Sequence, residues 1–170
     1  MTDNIRVIAS DFDGTILKDG AQHVDEVYFP LIRELKSMGI SFIAASGRQY
    51  ANLRRLLWPV ADEISYICEN GALIAQGGRI LYQNEIDRRI ALPLIADMQA
   101  VSGTETVVSG ADSSYLVPVD PRFPVLLREK VKNQVTCLEN FEEMPVPMIK
   151  ISIFFPQGIP ADKEAWFHEK

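Results

Sequence analysis

Apolar positions change period several times along the chain, and each change marks an element. Ile5 to Ala9 forms a short apolar run of the kind a buried strand presents. Val24, Val27, Tyr28, Leu31, Ile32, Leu35 and Met38 then recur at helical spacing, with Asp25 as the expected N-cap, Pro30 delaying or kinking the helix, and Gly39 ending it. Ile40 to Ala45 is a second apolar strand, Tyr50, Leu53, Leu56 and Leu57 stripe a second helix, and Ile64 to Cys68 is a third strand. This β-α-β-α-β order predicts a parallel sheet with helices on both faces.

After Asn70-Gly71 the pattern changes. Ala72 to Ala75 and Arg79 to Tyr82 flank Gly77-Gly78 as a hairpin, and Ile86 to Val101 reads as a helix. Strands follow near Thr106 to Val108 and Tyr115 to Val119, then a helix from about Pro124 to Lys132. A loop with Pro145 and Pro147 leads to a strong strand from Met148 to Phe155, and the tail from Ala161 begins a helix. The expected fold class is α/β: a partial, doubly wound, Rossmann-like parallel core over residues 1–83, followed by an α+β unit over 84–170.

With 47% hydrophobic and 24% charged residues in 170, the chain has the makings of an ordinary globular core. Its formal charge of −6 and lack of a basic stripe argue against nucleic acid as a partner. No apolar stretch approaches the roughly 20 residues that span a bilayer, and the first residues do not form a signal peptide. A cytoplasmic location is the expectation. Cys68 and Cys137 form no CxxC pair and have no His at metal spacing, so both read as core thiols. His23 and His168 have no partner in sequence and read as surface residues.

The sharpest chemical signal is Asp11-Phe12-Asp13-Gly14-Thr15, which delivers two carboxylates from the end of the first strand into a glycine turn. Ligands of open α/β sheets bind at the carboxyl ends of strands. Phosphoryl transfer asks for this equipment, because one carboxylate can attack phosphorus while a second handles the leaving group's proton and then the water's. Two carboxylates facing a phosphate repel it, so a hard cation, Mg²⁺ first, is expected with them. An acidic surface turn is the plain alternative. A calcium loop is excluded, because the third acidic position is Thr15 and the twelfth residue is Gln22.

Ser46-Gly47-Arg48 follows the second strand and precedes a helix, where a hydroxyl and backbone N–H groups can cradle phosphate or where Ser46 can simply cap the helix. Glu69-Asn70-Gly71-Ala72 follows the third strand at the same sheet edge; Asn70 can bond a ligand oxygen or form a turn with Gly71.

Together DFDGT, SGR and ENGA, each after a strand, resemble the haloacid dehalogenase superfamily, and more narrowly its Cof-like sugar-phosphatase branch. The resemblance covers the whole chain: residues 1–83 are similar to the first half of the catalytic core, and 84–170 to part of the cap inserted after the third strand. It implies Asp11 as nucleophile and Mg²⁺ ligand, and Asp13 as acid/base, binding Mg²⁺ through its backbone carbonyl. It implies that Ser46 holds the phosphoryl group with help from the backbone around Phe12, Gly14, Thr15 and Gly47, and that Arg48 and Asn70 contribute. The implied activity is Mg²⁺-dependent hydrolysis of small phosphorylated metabolites such as sugar phosphates, through an aspartyl-phosphate. A non-catalytic phosphate-binding or interaction fragment and a sugar phosphomutase are the alternatives.

The family's lysine and its acidic GDxxND-like motif lie beyond the cap, and neither is matched here; Lys150, at the start of an apolar strand, and Lys163 are not expected to replace the lysine. The resemblance therefore implies an incomplete cap, a longer parent or truncated product, and a first strand left as an open edge through which the chain can self-associate.

Overall fold

The computed structural model describes residues 5–18 and 21–160. Two sheets follow one another along the chain. The first has five strands in the order β1 (Val7–Asp11), β2 (Ser41–Ala45), β3 (Ser65–Cys68), β4 (Leu73–Gln76) and β5 (Arg79–Gln83). β1, β2 and β3 are parallel, and β4 and β5 continue antiparallel as the predicted hairpin.

The first strand begins two residues later than its apolar run and reaches Asp11, because it pairs with β2 from Val7 opposite Ser41 to Asp11 opposite Ala45. Helix α1 (Tyr28–Ser37) is shorter than its stripe. Asp25 does not cap it; Val27 is the cap residue, and the Asp25 carboxylate instead accepts the Val27 N–H at 3.1 Å. Pro30 falls in the first turn, where a missing N–H costs nothing. Helix α2 is Tyr50–Leu56.

The two helices lie on one face of the sheet rather than on both. Right-handed crossovers that step in the same direction, β1 to β2 to β3, put their helices on the same side. Side-chain contacts agree: Arg33 of α1 donates to the Pro59 carbonyl and to Glu63, just beyond α2. Ile32, Leu53 and Leu57 pack with Phe42, Ala44 and Tyr66, which alternate toward that face of β2 and β3. Intervening Ile43 and Ile67 are only half-buried. Tyr66 donates to the Ala61 carbonyl at 3.0 Å and meets the Tyr50 ring edge-on, which satisfies its hydroxyl inside the core.

The chain then passes through helix α3 (Arg88–Gln99), capped by the Asp87 side chain on the Arg89 N–H, into a second sheet. Its strands are β6 (Glu105–Ser109), β7 (Ser114–Leu116), β8 (Val135–Cys137) and β9 (Lys150–Phe154), in the order β8-β7-β6-β9. Strand β8 was invisible to hydrophobic pattern, since Val135-Thr136-Cys137 is short and largely exposed. Helix α4 (Phe123–Leu126) widens into a π turn over Leu127–Val131 and stops at Lys132, whose φ of 66° is left-handed. Ile95 of α3 packs with Val108, Tyr115 and Met148 on one face of this sheet, while Phe123 and Leu127 pack on Leu116 on the other.

Of the two thiols read as core, only Cys68 is buried, and its pKa is pushed up to about 12 first by burial; Cys137 is exposed. His23 is exposed, as its sequence context suggested. His168, Lys163 and the helix expected from Ala161 lie outside the described residues. Among the described residues, no helix is long and apolar enough to cross a membrane.

Candidate active site

Parallel pairing of Asp11 with Ala45 sets the loops after β1 and β2 side by side, and the Ser46 N–H donates to the Ile67 carbonyl at 2.9 Å, which brings the end of β3 alongside. The DFDGT, SGR and ENGA segments therefore meet at one sheet edge.

Phe12 shapes the first loop. Its side chain is fully buried, and its carbonyl accepts from the N–H groups of Ile16 at 3.1 Å and Leu17 at 2.8 Å. Gly14 takes a φ of 88°, and its N–H donates to the Leu17 carbonyl at 2.8 Å, so a side chain there would strain the turn. Asp11, Asp13, Gly14 and Thr15 are left facing solvent.

Asp13 is held by the second loop. The Arg48 guanidinium grips its carboxylate in a fork, Nη2 to Oδ1 at 2.7 Å and Nε to both oxygens at 3.0 Å, and the Ser46 hydroxyl donates to Oδ2 at 3.1 Å. These bonds, the Arg48 ones foremost, hold the Asp13 carboxyl below its ordinary range against a smaller opposing effect of burial. Ser46 does not cap α2, whose cap position is Gln49. It accepts the Arg48 N–H at 3.1 Å, tightening the loop instead.

The third loop carries three consecutive residues at positive φ: Glu69 at 52°, Asn70 at 58° and Gly71 at 94°. Asn70 makes the turn, and its side chain also lies over Gly47: a Cβ on Gly47 would sit 2.3 Å from the Asn70 Oδ1. A side chain at position 47 would therefore have to displace the exposed Asn70 side chain.

Three polar residues here were given no site role in the sequence, where Lys150 was considered only as a replacement for the family's lysine and set aside. Buried Glu69 pairs with Lys150 and accepts from the Ser109 hydroxyl at 3.1 Å, and the Lys150 ammonium donates to the Gly47 carbonyl at 2.9 Å. The signal was there. Lys150 is the one charge in the run Met148 to Phe155, and Glu69 opens the ENGA segment. Gln49 at α2's cap position and Asn52 in its first turn add further ties, Gln49 exchanging bonds with the Gln134 backbone at 2.8 and 3.2 Å and Asn52 donating to the Val131 carbonyl at 2.5 Å.

Between the two sheets lies a cleft of about 580 Å³ whose lining includes Asp13, Arg48, Lys150, Ser109, Ser152 and Phe154. A larger groove of about 950 Å³, lined in part by His23, Tyr28 and Trp58, contains neither carboxylate of DFDGT. The smaller cleft takes in Asp13 and Arg48, though not Asp11, and its convergent polar groups make it the candidate site.

Among the described residues, no group of three or more His, Cys, Asp or Glu side chains is arranged to hold a metal ion. The end of β1 does present oxygen donors of the type hard cations take, the exposed Asp11 carboxylate among them.

A family model described as haloacid dehalogenase-like hydrolase matches residues 8–169. The 5-amino-6-(5-phospho-D-ribitylamino)uracil phosphatase YbjI of Escherichia coli strain K12 is 25% identical over 161 residues, which is 95% of this chain and 57% of that protein. A solved structure from Eubacterium rectale superposes with a TM-score of 0.78 at 25% identity, covering 96% of this chain and 64% of that one. A sugar phosphatase of haloacid dehalogenase subclass IIB shares the fold, with a TM-score of 0.70 at 17% identity over 95% of this chain and 61% of that one. The chain spans a little more than half the length of the E. coli relative.

Proposed function

Because the chain belongs to the haloacid dehalogenase-like hydrolase family, we propose that its Asp11/Asp13 site hydrolyses phosphoric monoesters of small metabolites, sugar phosphates among them. The observation that carries this reading is the fork of Arg48 on Asp13, with the Ser46 hydroxyl beside it, at the strand end that presents Asp11.

In the first half-reaction an Asp11 carboxylate oxygen attacks phosphorus, the bond to the leaving oxygen breaks, and that oxygen takes a proton from Asp13. In the second, water gives a proton to Asp13 as its oxygen attacks phosphorus and the bond to Asp11 breaks. Inorganic phosphate leaves, and both carboxyls return to their starting states.

Arg48 makes this sequence conditional. While it grips Asp13 the carboxyl stays ionised and has no proton to give. An arriving phosphoryl group offers the guanidinium oxygens of matching geometry. Transfer of Arg48 to the phosphate would leave Asp13 beside a dianion, which raises its pKa so that it takes up a proton from solvent and can act as an acid; that proton returns to solvent when phosphate leaves and Arg48 grips the carboxylate again. Ser46, freed from the same carboxylate, would follow as a phosphate donor. Mg²⁺, held by the Asp11 carboxylate and the Asp13 backbone carbonyl, would offset a carboxylate–phosphate repulsion of about 4 kcal/mol at 4 Å and an effective dielectric of 20. The uracil named for the E. coli relative carries a phosphorylated polyol, and we place this chain's substrates in that broad class of small phosphate esters.

The test is hydrolysis of p-nitrophenyl phosphate by the purified chain with Mg²⁺ and with EDTA, beside Asp11→Asn. We expect turnover that EDTA abolishes and that Asp11→Asn lowers by about a thousandfold or more. A folded wild-type chain without turnover would overturn the catalytic reading and leave a phosphate-binding module.

A further inference from the structure

Glu69 has no role in the phosphoryl chemistry above, yet it is 3% exposed and charged. Its carboxylate is served from the second sheet, by Lys150 of β9 and Ser109 of β6. Its backbone belongs to the first: the Glu69 N–H donates to the Arg48 carbonyl at 3.2 Å. Lys150 reaches the same loop a second way, through its 2.9 Å bond to the Gly47 carbonyl. Both carbonyls of the Gly47-Arg48 pair are therefore held by a connection that leads to one ammonium group.

We infer that Lys150 is a positioning residue for the loop Ser46–Arg48, fixing from the second sheet where Arg48 stands relative to Asp13. The inference rests on the proposal that this loop meets phosphate, although its mechanical part can be read without any ligand. The competing account is a buried ion pair that serves stability alone. Two features separate them. Neutralising Glu69 does not require the second bond to Gly47, and a pair that only stabilised the core could be replaced by neutral groups without loss. Positioning, in contrast, is lost whenever the ammonium goes, whether or not the carboxylate goes with it.

The experiment compares the full chain with Lys150→Met and with the double variant Lys150→Met/Glu69→Gln. It reads the urea midpoint, hydrogen exchange at the amides of residues 48 and 69, and affinity for inorganic phosphate. Lys150→Met leaves a buried carboxylate unpaired and should lower the midpoint, and the double variant should regain most of it. If Lys150 positions the loop, exchange at residues 48 and 69 stays about tenfold faster than wild type in both variants, and phosphate affinity stays about tenfold weaker in both. Recovery of exchange and affinity together with the midpoint would overturn the inference, and unchanged exchange in Lys150→Met would do the same. Should Lys150→Met fail to fold, the double variant decides alone. A wild-type chain that binds no phosphate would sink the phosphate reading, while the exchange comparison would still decide the positioning.

Discussion

At the scale of single residues, the site is set by side chains that crowd one another. Gly47 is the plainest case. In Gly47→Ala the new methyl meets the Asn70 amide oxygen, the end of an exposed side chain that must turn aside, and we expect a loss of about 0.5–1.5 kcal/mol in urea denaturation. Adding Asn70→Gly should restore most of it, since glycine removes that oxygen and suits a φ of 58°. Arg48 offers a second test, by pH. The Asp13 carboxyl is lowered in the folded state, so the stabilisation from its pair is complete above the ordinary value of 3.8 and fades as pH falls through the lowered one. The stability gap between wild type and Arg48→Met should be level at neutral pH and close in acid. With the Asp13 side chain 52% exposed, that gap should be about 0.2–1 kcal/mol. The three motifs were legible as clusters of chemistry, and they do meet at one edge. Their mutual grip was not legible: nothing in the order Asp13, Ser46, Arg48 says that a fork closes on the acid rather than standing free for phosphate. The pairing of Glu69 with Lys150 stayed hidden for a related reason, because a charge at the start of an apolar strand gives no sign of its partner 81 positions away.

At the scale of elements, the first sheet followed its apolar runs, and the errors came at their ends. Strand β1 is fixed by its ladder to β2, so it includes Asp11, which polarity alone would place in the loop. Strand β8 is held by main-chain pairing with β7 and carries no apolar alternation to announce it. Helix α2 shows how polar residues at a helix start can do an interface's work. Gln49, at the cap position before that helix, is 2% exposed and bonds both the N–H and the carbonyl of Gln134, the residue before β8. Gln134 is exposed and its carbonyl also accepts from the Ser114 N–H at 2.9 Å, so Gln49→Leu would remove two bonds without stranding a buried group, and we expect it to cost about 0.5–1.5 kcal/mol in urea denaturation. A fall much smaller than that would mean water replaces the amide and the two sheets are more loosely joined than these bonds imply.

At the scale of the whole molecule, β1 is both the strand that presents Asp11 and an edge of its sheet. Val7 at the start of that strand and Ile5 just before it, 53% and 62% exposed, add apolar surface there. Such an edge invites another strand, and a lysine on it is a standard deterrent. We expect the chain to self-associate with rising concentration in sedimentation velocity, and Val7→Lys to suppress it; identical behaviour of the two proteins would rule out β1 as the contact. Pairing also bears on how the second sheet finds its alignment. Ser109 stands opposite Lys150 on neighbouring strands, so the two groups that serve Glu69 share a rung. A slip of β9 by one residue would turn Lys150 to the far side of its sheet and strand a carboxylate in the interior. The ion pair thereby works as a key for alignment, favouring the register of β9 that brings its charge home over a slip by one residue.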